Sequence, residues 1–118
     1  MSHTFKDLKV WQHAHRFVLE IYRVTKKFPE EEKYGLISQV RRAAVSVPAN
    51  IVEGAKRQSR RDFAHFTNIA AASLEEAKYY VLLAKDLEYI PDETGKELDS
   101  QCEEIAKMLF GLHHYLKN

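Results

Sequence analysis

The chain has 118 residues, 45% of them hydrophobic and 30% charged, with a net charge of +1. That balance suits one folded domain spanning residues 1–118, with apolar content for its own core, and excludes a disordered or low-complexity chain. No apolar run approaches the ~20 residues of a membrane span, MSHTFKDLKVWQ lacks a signal-peptide core, and the lone Cys102 excludes an internal disulfide and fits the reducing cytoplasm.

The first helix is expected from about Asp7 to Lys27. Leu8, Trp11, Ala14, Val18, Ile21, Tyr22 and Thr25 recur at helical spacing, with Asp7 as N-cap. Phe28-Pro29 ends it, because the residue before proline is pushed out of the helical region. Glu30 to Lys33 is a polar connector. A second helix runs from about Gly35 to Ala55 with Pro48 inside it. An interior proline costs roughly 3 kcal/mol, yet the periodicity continues on both sides, so a kink is expected, not a break. Ser59-Arg60-Arg61-Asp62 has the form of a capping box. It opens a third helix to about Glu88, with Phe63, Phe66, Ala70, Leu74, Ala77, Val81, Ala84 and Leu87 as its seam. A fourth follows from about Asp92 to Leu116, with Leu98, Cys102, Ile105, Leu109, Leu112 and Leu116 inward. Strand patterns are absent. Short connections between long helices imply antiparallel neighbours, so the fold class is all-α, an up-down-up-down four-helix bundle.

The second helix is unusually apolar. Gln39, Arg42, Ser46, Asn50, Glu53 and Arg57 form one narrow polar stripe. The remaining arc, roughly 200° wide, exceeds the ~100° that a surface helix needs. Such a helix requires partners on two sides, and Ala43, Ala44, Ser46, Ala49 and Gly54 would permit close approach. This motivates a homo-oligomer. The polar stripe has two readings. In one, Ser46, Asn50 and Glu53 form a hydrogen-bonded network fixing register or subunit pairing. In the other, Gln39, Arg42, Asn50 and Arg57 line a groove or pore for a ligand. Arg41 points into the apolar arc, where it either snorkels out or pairs with a carboxylate, including one from another subunit.

Charge is segregated along the chain. Residues 33–61 carry seven Lys/Arg against one Asp/Glu, whereas residues 62–118 carry five against eleven. Lys56, Arg57, Arg60 and Arg61 lie at the corner between the second and third helices, where they could neutralise several phosphates. Cations at the end of the second helix suit its dipole. Arg60 and Arg61 open the third, where cations are unfavourable, which argues for an external anion. No interleaved aromatics suggest base stacking.

Catalysis finds no support. Ser46, Ser73 and Cys102 lack an acid–base partner in sequence. Ser73 reads as a small residue for close helix contact, and Cys102 as a core thiol. No glycine loop cradles phosphate. A di-metal bundle needs Glu-x-x-His motifs, and the nearest approach is Asp62-Phe63-Ala64-His65. His13 and His15 diverge around their helix, as do His113 and His114, and all six histidines read as surface residues. Neither an enzyme, a metal site nor a cofactor is expected.

QVRRAAVSVPANIVEG at residues 39–54 resembles the signature of the 23S rRNA intervening-sequence proteins, a bacterial four-helix-bundle family. Phe5 to Ala14, Phe28-Pro29, Glu32 to Leu36 and Phe63 to Glu75 resemble the family as well, so the likeness covers nearly the whole chain. It implies a compact antiparallel bundle without catalytic residues to carry over. Some members are encoded within insertions in ribosomal RNA genes. Related accessory proteins of diversity-generating retroelements are strongly basic homopentamers, consistent with nucleic-acid binding. The resemblance therefore implies self-assembly as a pentamer, with RNA, other nucleic acid or another protein as partner. This chain departs from the basic relatives in its near-neutral charge.

Overall fold

A computed structural model describes residues 4–118. Four helices carry the fold: α1 (Lys9–Thr25), α2 (Leu36–Ala55), α3 (Arg60–Asp86) and α4 (Asp92–Lys117). Short 3-10 turns at Phe5–Asp7 and Glu30–Glu32 precede α1 and α2. No strand occurs among the described residues, and the molecule measures 46 × 23 × 21 Å. Each helix packs on two others, α1 on α2 and α4, and α3 on α2 and α4. Residue numbers fall along α3 as they climb along α2: Gln39 meets Tyr80, Ser46 meets Ser73 and Gly54 meets Phe63. The same opposition holds between α3 and α4, where Thr67 meets His113 and Lys78 meets Glu103.

The core follows from the spacing of apolar residues. On α3, Thr67, Ala70, Leu74, Ala77, Val81 and Ala84 are buried; on α4, Gly95, Leu98, Cys102, Ile105, Leu109 and Leu116 are. Steps of three and four average 3.5 residues, the coiled-coil repeat that keeps one seam facing a neighbour. Alanines at every seventh position of α3 let it approach closely. Each fully buried Phe17, Ile21, Ile51, Leu74, Leu98, Ile105 or Leu109 contributes about 1.5–3 kcal/mol through removal from water.

On α2, Leu36, Val40, Ala43, Ala44, Val47, Pro48, Ile51 and Gly54 are all buried. The two partners its wide apolar arc demands are α1 and α3 of the same chain. Val45 and Ala49 are left exposed. The arc is largely used inside one subunit, so its width alone does not require a second copy. The helix runs unbroken through Pro48.

Local signals set the helix ends. Ser59 caps α3, accepting the Asp62 amide on Oγ at 3.0 Å. Asp7 is not the N-cap of α1. It lies in the preceding 3-10 turn, where its carboxylate accepts the Thr4 amide, and Leu8 takes the cap position. Before α2, Glu32 accepts the Leu36 amide at 3.0 Å and the Tyr89 hydroxyl at 2.8 Å. It thereby ties the start of α2 to the turn after α3, and the two donors, the amide first, hold its carboxyl below the usual range. That turn closes α3 with amides of Glu88 and Tyr89 donating to Lys85 and Ala84 carbonyls. The arrangement is a Schellman motif with Glu88 at φ 64°, where glycine is usual.

Three seam expectations need correction. Tyr22 and Leu87 are 39% and 45% exposed. Tyr22 turns outward under Arg41, and Leu87 lies past the last regular turn of α3. Phe17, absent from the expected α1 seam, is fully buried. The inner face of α1 follows Val10, Ala14, Phe17, Val18, Ile21, Val24 and Thr25, so Ala14, Val18, Ile21 and Thr25 of the expected seam are buried and Val10, Phe17 and Val24 join them.

Candidate nucleic-acid interface

The α2–α3 corner is built by a close approach. Gly54 is buried in the last turn of α2, and a Cβ there would lie 2.6 Å from Phe63 Cδ1 and 2.9 Å from Phe66 Cβ. Only a residue without a side chain lets α3 start so close to the end of α2. The connector Lys56 to Ser59 therefore turns sharply, and its side chains are all exposed.

The four corner cations divide into two pairs. Arg57 donates to Glu53 at 3.0 Å and stacks over the Phe66 ring at 4.7 Å. Arg60 crosses to α4, donating to the Tyr115 carbonyl and stacking on its ring at 4.5 Å. The position of Arg60 at a helix N-terminus is thus explained without an external anion: it satisfies a carbonyl at the C-terminal end of α4, where a cation is favourable. Lys56 and Arg61 meet no partner among the described residues and stand exposed. This pair, not all four, is available to an incoming anion.

The polar stripe of α2 resolves mainly toward structure. Asn50 Nδ2 donates to the Ser46 carbonyl at 2.8 Å and to Ser46 Oγ at 3.0 Å. Ser46 Oγ shares a 2.8 Å hydrogen bond with Ser73 Oγ on α3. Small hydroxyls at the seam allow close helices and fix their register together. Glu53 does not join this network, because it turns outward to Arg57. Gln39 accepts a long 3.4 Å bond from Tyr80, and Arg42 is exposed. Gln39 lies in the first turn of α2 and Arg57 beyond its C-terminal end, so the stripe does not converge on one groove.

Arg41 pairs with no carboxylate among the described residues and stands half-buried at the end of α1. Its Nε donates to Thr25 Oγ1 at 2.9 Å, another nitrogen reaches the Tyr22 carbonyl at 3.4 Å, and its guanidinium lies 4.4 Å over the Tyr22 ring. It caps the C-terminal end of α1. Arg60 does the same for α4, so two arginines bind helix ends.

His113 was missed by the surface reading of the histidines. It is half-buried, with Nδ1 3.0 Å from Thr67 Oγ1 and 3.2 Å from the Ala64 carbonyl. Thr67 donates its own hydrogen to Ala64. Both neighbours can therefore only accept from the ring, and Nδ1 carries a hydrogen. His3 lies outside the described residues. No group of three or more His, Cys, Asp or Glu side chains able to hold a metal occurs among the described residues. Cys102 is buried, which, with the Asp99 carboxylate, pushes its thiol up to about 12. No helix of the described chain is long and apolar enough to cross a membrane.

The fold and its seams define an all-α four-helix-bundle protein. The chain belongs to the 23S rRNA-intervening sequence protein family, which matches residues 6–111. It is similar to the crystal structure of a protein of unknown function from the S23 ribosomal protein family of Bacteroides thetaiotaomicron VPI-5482. The identity is 30%, covering 86% of this chain and 95% of that one, with a TM-score of 0.80. No curated protein matches the chain.

Proposed function

We propose that this protein is a non-enzymatic, cytoplasmic homo-oligomer, a pentamer by its resemblance, that binds RNA or other nucleic acid at the α2–α3 corner. The observation that carries the reading is the pair of exposed, unpartnered cations Lys56 and Arg61 beside two arginines already held in place. Self-assembly would repeat this pair and raise the local field. Phosphate contacts dominate such binding, so it is weakly sequence-specific.

The test is a salt titration of RNA binding, with light scattering for assembly and melting curves for folding. Lys56→Gln/Arg61→Gln should reduce the log–log salt slope by about 0.7 per lost contact on a single strand. It should leave assembly intact. Equal slopes, or no binding at low salt, overturn the reading. A second reading, a protein–protein scaffold, is favoured by Phe110 and Tyr115, which are 73% and 64% exposed on α4. It predicts a bound protein and no RNA in material recovered from cells.

A further inference from the structure

A second basic feature adjoins the corner. The N-terminal turns of α3 and the C-terminal turns of α4 enclose a groove of about 450 Å³, the size of a small-ligand site. Its walls carry Arg61, His65, Asn68, His113 and Lys117, and no acidic side chain lines it. Two clefts of similar size are mixed in charge: one pairs Lys85 and Lys96 with Asp99 and Glu103, another Arg16 with Glu20 and Glu104. A smaller one of about 100 Å³ is lined by Arg23 and Lys27 without an acid, but Arg23 is already paired with Glu20.

The groove's donors are not otherwise engaged. Arg61, Asn68 and Lys117 are exposed and meet no partner among the described residues. His113 is the exception: its Nδ1 hydrogen is already held by Ala64 and Thr67, so the ring is a wall of the groove and not one of its donors. The carbonyl of Tyr115, which would otherwise repel an anion from this end of α4, is occupied by Arg60. The positive end of the α3 dipole favours an anion here and the negative end of α4 opposes it, so the groove's attraction rests on its side chains.

We infer that this groove seats the terminal phosphate monoester of a nucleic-acid strand; the inference rests on the nucleic-acid reading above and names where a strand end would lie. The charge match selects a monoester. Arg61 and Lys117 supply two fixed positive charges, whereas a monoester carries about −1.5 to −2 with three terminal oxygens. An internal diester carries only −1. Arg61 presents a planar fork of donors, while Lys117 and Asn68 supply donors to the remaining oxygens.

The experiment measures binding of the full chain to one RNA oligonucleotide prepared with a 5′-phosphate, with a 3′-phosphate, or with hydroxyls at both ends. At least one phosphorylated form should bind about tenfold more tightly than the hydroxyl form, and the better of the two identifies the end recognised. Asn68→Ala/Lys117→Gln should reduce that preference to less than twofold while its melting temperature stays near wild type. Equal binding of all three strands overturns the terminal-phosphate inference and leaves the nucleic-acid reading standing. A preference that survives in the double variant overturns the assignment to this groove. No binding of any strand overturns both.

Discussion

Gly54→Ala and Gly111→Ala make the same chemical change on two helices with opposite expected signs. In a helix interior, alanine is favoured over glycine by about 0.8–1 kcal/mol. At Gly111, exposed on α4, a Cβ meets nothing within 4 Å, so most of that gain should appear. At Gly54 the new carbon would sit 2.6 Å from Phe63 and 2.9 Å from the Phe66 Cβ, well inside the ~3.5–4.0 Å of an ordinary carbon contact. The Phe63 ring can rotate away. The Phe66 Cβ is fixed to the α3 backbone, so α2 and α3 must separate at the corner. Overpacking of this kind costs typically 1–3 kcal/mol, leaving a net loss of up to about 2 kcal/mol after the propensity gain. Urea denaturation of wild type and both variants measures this, with a melting shift of roughly 3–6 °C per kcal/mol as a check. Gly54→Ala should move the midpoint down and Gly111→Ala up. A Gly54→Ala protein stabilised as much as Gly111→Ala would refute the close approach of α2 and α3 at the corner.

Other substitutions probe the remaining devices. Asn50→Ala removes two donors from Ser46 and should cost about 1 kcal/mol, because the site is half-buried; an unchanged urea midpoint would make Asn50 a spectator. Glu88→Gly should stabilise by roughly 1 kcal/mol, since glycine takes the left-handed cap conformation without a Cβ clash; thermal melting decides, and a loss of stability would contradict the cap assignment. Glu32→Gln should destabilise at neutral pH. The lowered folded-state pKa of Glu32 gives stability that is present above its unfolded pKa and lost as pH falls through the folded one. The gap between wild type and variant should therefore close below about pH 4, and a gap constant from pH 7 to pH 3 would exclude the carboxylate as its source. Cys102, buried and with a raised thiol pKa, should resist alkylation until the chain unfolds; rapid labelling of native protein would mean the α4 seam opens locally.

The third and fourth helices were legible because their apolar residues keep one seam at steps of three and four, and because Ser59 and Pro91 punctuate their starts. The first helix was harder. Ala14, Val18, Ile21 and Thr25 were read correctly, but Phe17 proved buried and Tyr22 half-exposed beneath Arg41, a residue nineteen positions away. The polar stripe of α2 showed that Ser46 and Asn50 were special, but the partner that gives them meaning, Ser73, lies on another helix. The basic corner was visible as a run of charge. Its division was not, because the bond that engages Arg60 spans fifty-five residues to Tyr115. The groove beside it had no sequence signature, since it joins the start of one helix to the end of another. The wide apolar arc of α2 was real, but its width reflected two neighbours in the same chain.

The proposed nucleic-acid contact lies at the end of the bundle carrying Lys56 and Arg61. Hydrogen-exchange mass spectrometry of the full chain, with and without saturating single-stranded RNA at low salt, tests it directly because it reports position as well as binding. The account predicts slowed exchange across residues 55–65 and 113–118, with the opposite end, residues 30–36 and 87–94, unchanged. Protection confined to that opposite end, or no protection anywhere, would contradict it.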